Sequence, residues 1–153
     1  MKAWRSGLGV AVAGIAALVA LGRSPPAHAV ATSGRYVVDA KLETLLDNAT
    51  KLTWQRAQAV GTYSWSAAQE ACKDLKLAGG GWRVPTLVEL EGIVDRGHKD
   101  PAIDTLIFGP TTPDQFWTAA SALSVGQGWA VHFGAGNSVS VSKTSLLRVR
   151  CVR

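Results

Sequence analysis

Ser64-Trp65-Ser66-Ala67-Ala68-Gln69-Glu70-Ala71-Cys72-Lys73-Asp74-Leu75-Lys76-Leu77 is the stretch from which the fold can be read. Trp65, Ala68, Cys72 and Leu75 recur at the spacing of one helical face. Glu70, Lys73, Asp74 and Lys76 lie mostly elsewhere on the same helix. Ser64 has the hydroxyl that caps a helix start, and Gly79-Gly80-Gly81 ends the helix. The spacing therefore predicts a helix over 64–77 that turns Cys72 inward beside Trp65. At the other end of the chain, Leu147, Val149 and Cys151 alternate with Arg148, Arg150 and Val152, the period of a strand. Cys151 thus shares a face with Leu147 and Val149. These are the chain's two cysteines. A core-facing cysteine on a helix and one on a strand make a disulfide geometrically sensible. Two buried thiols are the competing reading, and a metal site is weaker because neither cysteine has a histidine at ligand spacing.

Outward from that pair, the remaining elements follow from local pattern. Arg35 to Ala40 reads as a first strand through Tyr36, Val37 and Val38. Leu45-Leu46-Asp47 and Leu52-Thr53-Trp54-Gln55 flank Asn48-Ala49-Thr50-Lys51, which is a hairpin signal. Pro85 and Thr86 open a second helix, with Thr86 and Glu89 at capping-box spacing. Leu87, Leu90, Ile93 and Val94 form its apolar face, and Gly97 stops it. Residues 98–116 are rich in Pro, Gly, Thr and Asp and read as loop. Phe116-Trp117-Thr118 is a short strand. Trp129, Val131 and Phe133 alternate with Ala130 and His132, and after a turn Val139 and Val141 alternate with serines, giving a second hairpin. Strands at both ends, with two helices grouped early, predict an α+β fold of two helices on small antiparallel sheets with a long loop region.

The N-terminus must be set aside from this fold. Lys2 and Arg5 precede an uncharged apolar run from Gly7 to Leu21, followed by Pro25-Pro26 and Ala27-His28-Ala29. That is the pattern of a signal peptide over residues 1–29, with an uncleaved anchor as the alternative. The apolar run is shorter than the roughly 20 residues that span a bilayer comfortably, so no membrane span is expected after cleavage. Residues 30–43 form a lead and first strand, and 44–153 the domain proper. Export to the periplasm, cell surface or medium also suits a disulfide. Closing a loop of about 80 residues stabilises by roughly 4–5 kcal/mol in the chain-entropy account.

Loss of Lys2, Arg5 and Arg23 lowers the basic count from 16 to 13 against 11 acidic residues, so the net charge falls from +5 to +2. With no dense Lys/Arg run, nucleic acid is a poor partner.

Several of these pieces, in this order, resemble the Lcl C-terminal domain family. They are Asp47 with Leu52-Thr53-Trp54-Gln55, Tyr63-Ser64-Trp65 with Ala68 and Cys72, and Trp82-Arg83-Val84-Pro85-Thr86 with Glu89-Leu90. Pro101-Ala102-Ile103, Phe108, Phe116-Trp117-Thr118, Trp129-Ala130-Val131-His132-Phe133 and Val149-Arg150-Cys151-Val152-Arg153 complete the match. The resemblance implies a C-type-lectin-like domain whose two termini pair in one sheet. It implies that the helix cysteine bridges to the final strand. It also implies that a long irregular region, here about 98–145, carries the ligand surface.

The candidate site residues are few. Trp117 and Trp129 offer faces on which a sugar ring can stack, but core packing is the stronger reading for both. Arg148 and Arg150, on the side of the strand away from Cys151, with Lys143 nearby, form a candidate basic stripe for sulfated or carboxylated polysaccharide. A solvated strand face, or pairing with carboxylates, is the alternative. His132 and Asn137 flank the intervening turn and join the candidate ligand set. Arg83 is expected to pair with Glu89. The Glu-Pro-Asn, Gln-Pro-Asp and Trp-Asn-Asp triplets of calcium-dependent sugar lectins are absent. Asp100, Asp104 and Asp114 read as turn caps, so no metal and no cofactor is expected. His98 and His132 are isolated and no nucleophile motif appears, so catalysis is not expected. The expected function is a non-catalytic binding module for acidic or sulfated glycans in adhesion. The alternative is a structural or protein-interaction subunit of the cell envelope, with an envelope or receptor protein as partner.

Overall fold

The computed structural model describes residues 32–153. The signal peptide expected over 1–29 lies outside the described residues. The domain is α+β, with one four-stranded and one three-stranded antiparallel sheet. Strands β1 (Thr32–Ser33), β2 (Tyr36–Asp39), β3 (Thr44–Asp47) and β4 (Thr53–Gln55) form a meander in chain order. The Asp47 carboxylate accepts from the Ala49 backbone N–H at 2.9 Å, which shapes the expected β3–β4 turn.

Helix α1 (Trp65–Asp74) begins as the sequence indicates, with the Ser64 hydroxyl accepting from the Ala67 N–H. It buries Ala68 and Cys72. Helix α2 (Leu87–Glu91) has the full capping box between Thr86 and Glu89. It is shorter than expected and ends at Gly92. Ile93 is still buried, because the chain continues from Gly92 as turns over the same core. Within the region expected to be loop lies a four-residue helix α3 (Thr105–Phe108), with the Asp104 carboxylate accepting from Leu106 and Ile107. The Ile107 and Phe108 it buries were masked in the sequence by the surrounding Gly and Pro.

The second sheet is β5 (Gln115–Ser121), β6 (Gln127–His132) and β7 (Asn137–Ser142). Its pairing register places Phe116 beside Val131 and Trp117 beside Ala130, so neighbouring positions enter opposite faces. Each face has its own core. One cluster gathers Trp54, Leu90, Ile103, Phe108, Phe116, Val131, Phe133 and Val152. The other gathers Ala68, Cys72, Trp82, Trp117, Ala130, Val149 and Cys151. Residues 147–153 run extended between these clusters.

That last segment is not a regular strand. It makes isolated bridges at Leu147 to Tyr63, Arg148 to Phe116, and Val152 to both Trp54 and Arg83. Thr53 and Arg153 exchange backbone hydrogen bonds at 2.8 and 2.9 Å, so the end of the chain pairs with β4. Cys72 and Cys151 form the disulfide, with Cα atoms 5.5 Å apart across a separation of 79 residues. No helix among the described residues is long and apolar enough to cross a membrane.

Candidate functional site

Three backbone pairings build an open cleft at one end of the second sheet. Gln115 pairs with His132, so both project from the same face of the β5–β6 pair. Arg148 lies beside β5, its N–H donating to Gln115 O and its own carbonyl accepting from Trp117 N–H, at 3.0 and 2.9 Å. Leu147 and Tyr63 exchange backbone hydrogen bonds, which brings Thr62 alongside. The resulting cleft of about 320 Å³ is lined by Thr62, Asp114, Gln115, His132, Leu147 and Arg148, with Leu146 at its rim.

Its polar groups are held in place before any ligand arrives. Arg148 donates through Nε to Asp114 Oδ2 at 3.1 Å and through Nη1 to Gly61 O at 3.0 Å. The Thr112 hydroxyl and the Arg148 guanidinium hold the Asp114 carboxyl below the usual carboxylate range. The His132 Nδ1 accepts from the Ala135 N–H at 3.1 Å, which leaves the proton of the neutral ring on Nε2. Gly134 allows this ring position, because a Cβ there would lie 2.7 Å from His132 Cε1 and 2.9 Å from Pro113 O. The Asp114–Arg148 pair cancels its own charge. The cleft therefore presents oriented donors and acceptors rather than a net field.

The structure brings together only part of the expected ligand set. His132 and Arg148 share the cleft. Asn137 pairs with His132 across the hairpin and is exposed, but does not line it. Lys143 is occupied elsewhere: its Nζ sits 4.0 Å from the centroid of the Trp65 ring and donates to Ser121 Oγ at 2.9 Å. Trp117 is fully buried, and its indole N–H donates to Tyr63 O at 2.7 Å. It is a core residue and not a ligand platform. Trp129, expected in the core, is half-buried and belongs to neither cluster.

Arg150 is the clearest correction. Its side chain is completely buried. Nη1 donates to the carbonyls of Gln55, Arg56 and Phe108, and Nη2 to Thr111 Oγ1 at 2.5 Å. Among the described residues no carboxylate pairs with it. Burial pushes the guanidinium down to about 9, which still leaves it charged at neutral pH. There is thus no Arg148/Arg150 stripe on the surface. The phase of the alternation was right, but this side of the segment faces the first core, as Val152 in the same phase shows.

Other expectations are met. Arg83 forms a two-pronged ion pair with Glu89, at 2.8 and 2.7 Å. Asp104 caps α3. Asp114, expected as a turn cap, instead pairs its carboxylate with Arg148, 34 residues away, and no sequence signal tied the two.

Among curated proteins none matches the chain significantly. The sequence profile of the Lcl C-terminal domain family matches residues 43–153, which takes in every element from β3 onward and the whole cleft. The chain belongs to the Lcl C-terminal domain family.

Proposed function

We propose that this protein is an exported, non-catalytic binding module of C-type-lectin-like fold that holds a glycan in the Asp114–His132–Arg148 cleft. The observation that carries the reading is that convergence. Three side chains far apart in sequence, each fixed by a hydrogen bond within the protein, line one open cavity. Planar groups with paired donors and acceptors suit the adjacent hydroxyls of a sugar. The compensated charge argues for recognition by hydrogen bonds rather than by bulk attraction. A binding role rather than a catalytic one is supported by the disulfide, which takes both cysteines, and by the fixed Arg148–Asp114 pair. The disulfide and the N-terminal pattern support a secreted, periplasmic or cell-surface location.

The test is a glycan array on the parent and on R148A and H132A. A glycan class retained by the parent and lost by both variants is the expected result. Equal retention by all three would remove the cleft from the reading.

One observation favours the alternative, a protein-interaction subunit of the envelope. Leu123 and Val125 are fully exposed on the β5–β6 turn. An L123S/V125S variant that loses a stoichiometric protein partner, with no glycan signal from the parent, would favour it.

A further inference from the structure

Three of the four sheet edges are closed by the chain itself or are too short to matter. β1, at one edge of the first sheet, is two residues long. β4, at the other, is bonded to the end of the chain through Gln55 N–H to Cys151 O and through the exchange between Thr53 and Arg153. In the second sheet the outer side of β5 is covered: Trp117 N–H donates to Arg148 O and Ala119 N–H to Pro85 O, at 2.9 and 2.8 Å. The fourth edge is β7, six residues long and last in the order β5-β6-β7. Among the described residues no backbone hydrogen bond reaches residues 138–141 from the side away from β6.

The ladder fixes what that side presents. Gln127 pairs with Ser142, and Lys143 N–H donates to Gly126 O at 2.8 Å. Hydrogen-bonded pairs alternate along an antiparallel ladder. Val139 and Val141 therefore bond to β6, and the N–H and C=O of Ser138 and Ser140 point outward. The side chains are already engaged within the fold. Ser138 Oγ donates to Glu91 and Ser140 Oγ to Gln127, while Val139 and Val141 pack against the second core. The usual guards of an edge are missing. Residues 137–142 carry no charge and no proline, and the β6–β7 register runs without a bulge.

We propose that β7 is the seam of a homodimer, in which a second copy of this chain adds its own β7 antiparallel about a two-fold axis at Ser140 and completes one six-stranded sheet. The strand complements itself. A two-fold axis normal to the sheet keeps every residue on its own face, so residues that meet must share that face. Centred on Ser140, the pairing sets Ser140 opposite Ser140, Ser138 opposite Ser142 and Val139 opposite Val141 of the other copy. The outward backbone groups of Ser140 and Ser138 gain partners, and both valine pairs lie on the face of the second core. The flanking charges do not clash. Lys143 falls opposite Asn137, and the two Lys143 side chains stand at opposite ends of the joined strands. A strand of serine and valine has no charge and no large side chain with which to select a foreign sequence, so its own copy is the partner it fits. The seam is narrow, so the dimer should form reversibly with concentration.

Sedimentation velocity of the purified exported protein over a concentration series is the test, with amide hydrogen exchange at both ends of the series. The mass of the parent should double as concentration rises, and the Ser138 and Ser140 amides should become protected over the same range. S140K and S140E keep every bond of the β6–β7 ladder but place like charges across the axis, so each alone should stay monomeric. Mixed in equal amounts, they should form a one-to-one dimer. S140P removes only an outward N–H and should give a folded monomer. S66K adds the same charge at an exposed position of α1 and should dimerise as the parent does. A parent that is monomeric throughout or trimeric, a dimer unchanged in S140K and S140E, or a mixture of the two that stays monomeric would each overturn the proposal.

Discussion

Arg148 and Arg150 lie two residues apart on one side of an extended segment, yet one lines an open cleft and the other is sealed inside the fold. Arg148 meets a carboxylate whose side chain is about half exposed, while water reaches them both. Arg150 meets three carbonyls and a hydroxyl, with Phe108 against its guanidinium at 5.4 Å. The difference teaches how this fold organises its irregular region. Backbone carbonyls at and just past the end of β4 and at the end of α3, with the Thr111 hydroxyl of the following loop, all converge on one buried cation. Arg150 thus fixes segments that share no ladder of backbone bonds. Arg148, by contrast, orients an acceptor at the surface and holds little of the fold together.

The largest effects should come from the segment that carries both arginines. Breaking the Cys72–Cys151 bond frees a loop that the fold otherwise closes, and C72A/C151A should lose about 4–5 kcal/mol in the chain-entropy account. Arg150→Met should come next. It keeps much of the buried volume but strands the Gln55, Arg56 and Phe108 carbonyls, at a cost of about 3 kcal/mol or more. Denaturant unfolding measures both. An Arg150→Met variant as stable as the parent would mean that the carbonyls find other partners and that the arginine does not organise the loops.

How much of this contrast was readable beforehand depends on which physics sets each feature. Helix α1, the β3–β4 turn, the capping box of α2 and the disulfide depend on neighbours within a few residues, or on two rare side chains, and local pattern carries that information. Depth is different. Alternation at 147–152 separates two sides but does not say whether either meets water. Here Val149 and Cys151 face one core and Val152 the other, so both sides are covered. Val152, apolar and in phase with the arginines, was the available warning. Trp117 and Trp129 make the same point, since only the paired register shows which indole the sheets enclose. Asp114 was unreadable as a partner of Arg148 for another reason. A pair 34 residues apart leaves no periodic trace.

The same contrast between interior and surface recurs in the acid pairs, with a smaller effect. Asp47 is fully buried and takes two bonds from Arg35, at 3.0 and 2.7 Å. Burial alone would raise its pKa, but the Arg35 guanidinium, the Ala49 N–H and the Thr50 hydroxyl together hold it below the ordinary value. A carboxyl with a depressed folded pKa adds stability that is present above its unfolded pKa, about 3.9, and is lost as pH falls through the folded one. Asp47→Asn should therefore cost about 1–2 kcal/mol at neutral pH. It should also flatten the loss of stability below about pH 4. Unfolding curves at stepped pH test this, and parallel acid slopes for parent and variant would assign the acid sensitivity to other carboxylates.

Arg148→Ala should have the smallest effect on folding and the clearest effect on binding. Its partner Asp114 is half exposed, and surface pairs of this kind contribute about 0–1 kcal/mol. The variant should unfold within about 1 kcal/mol of the parent, while Asp114 and His132 lose the group that orients one and flanks the other. Measured together, unfolding and glycan retention then separate two roles for arginine in one segment. A stability loss as large as that of Arg150→Met would make Arg148 a second internal tie. A preserved fold with abolished retention would leave its guanidinium free to serve the ligand, because the fold does not depend on it.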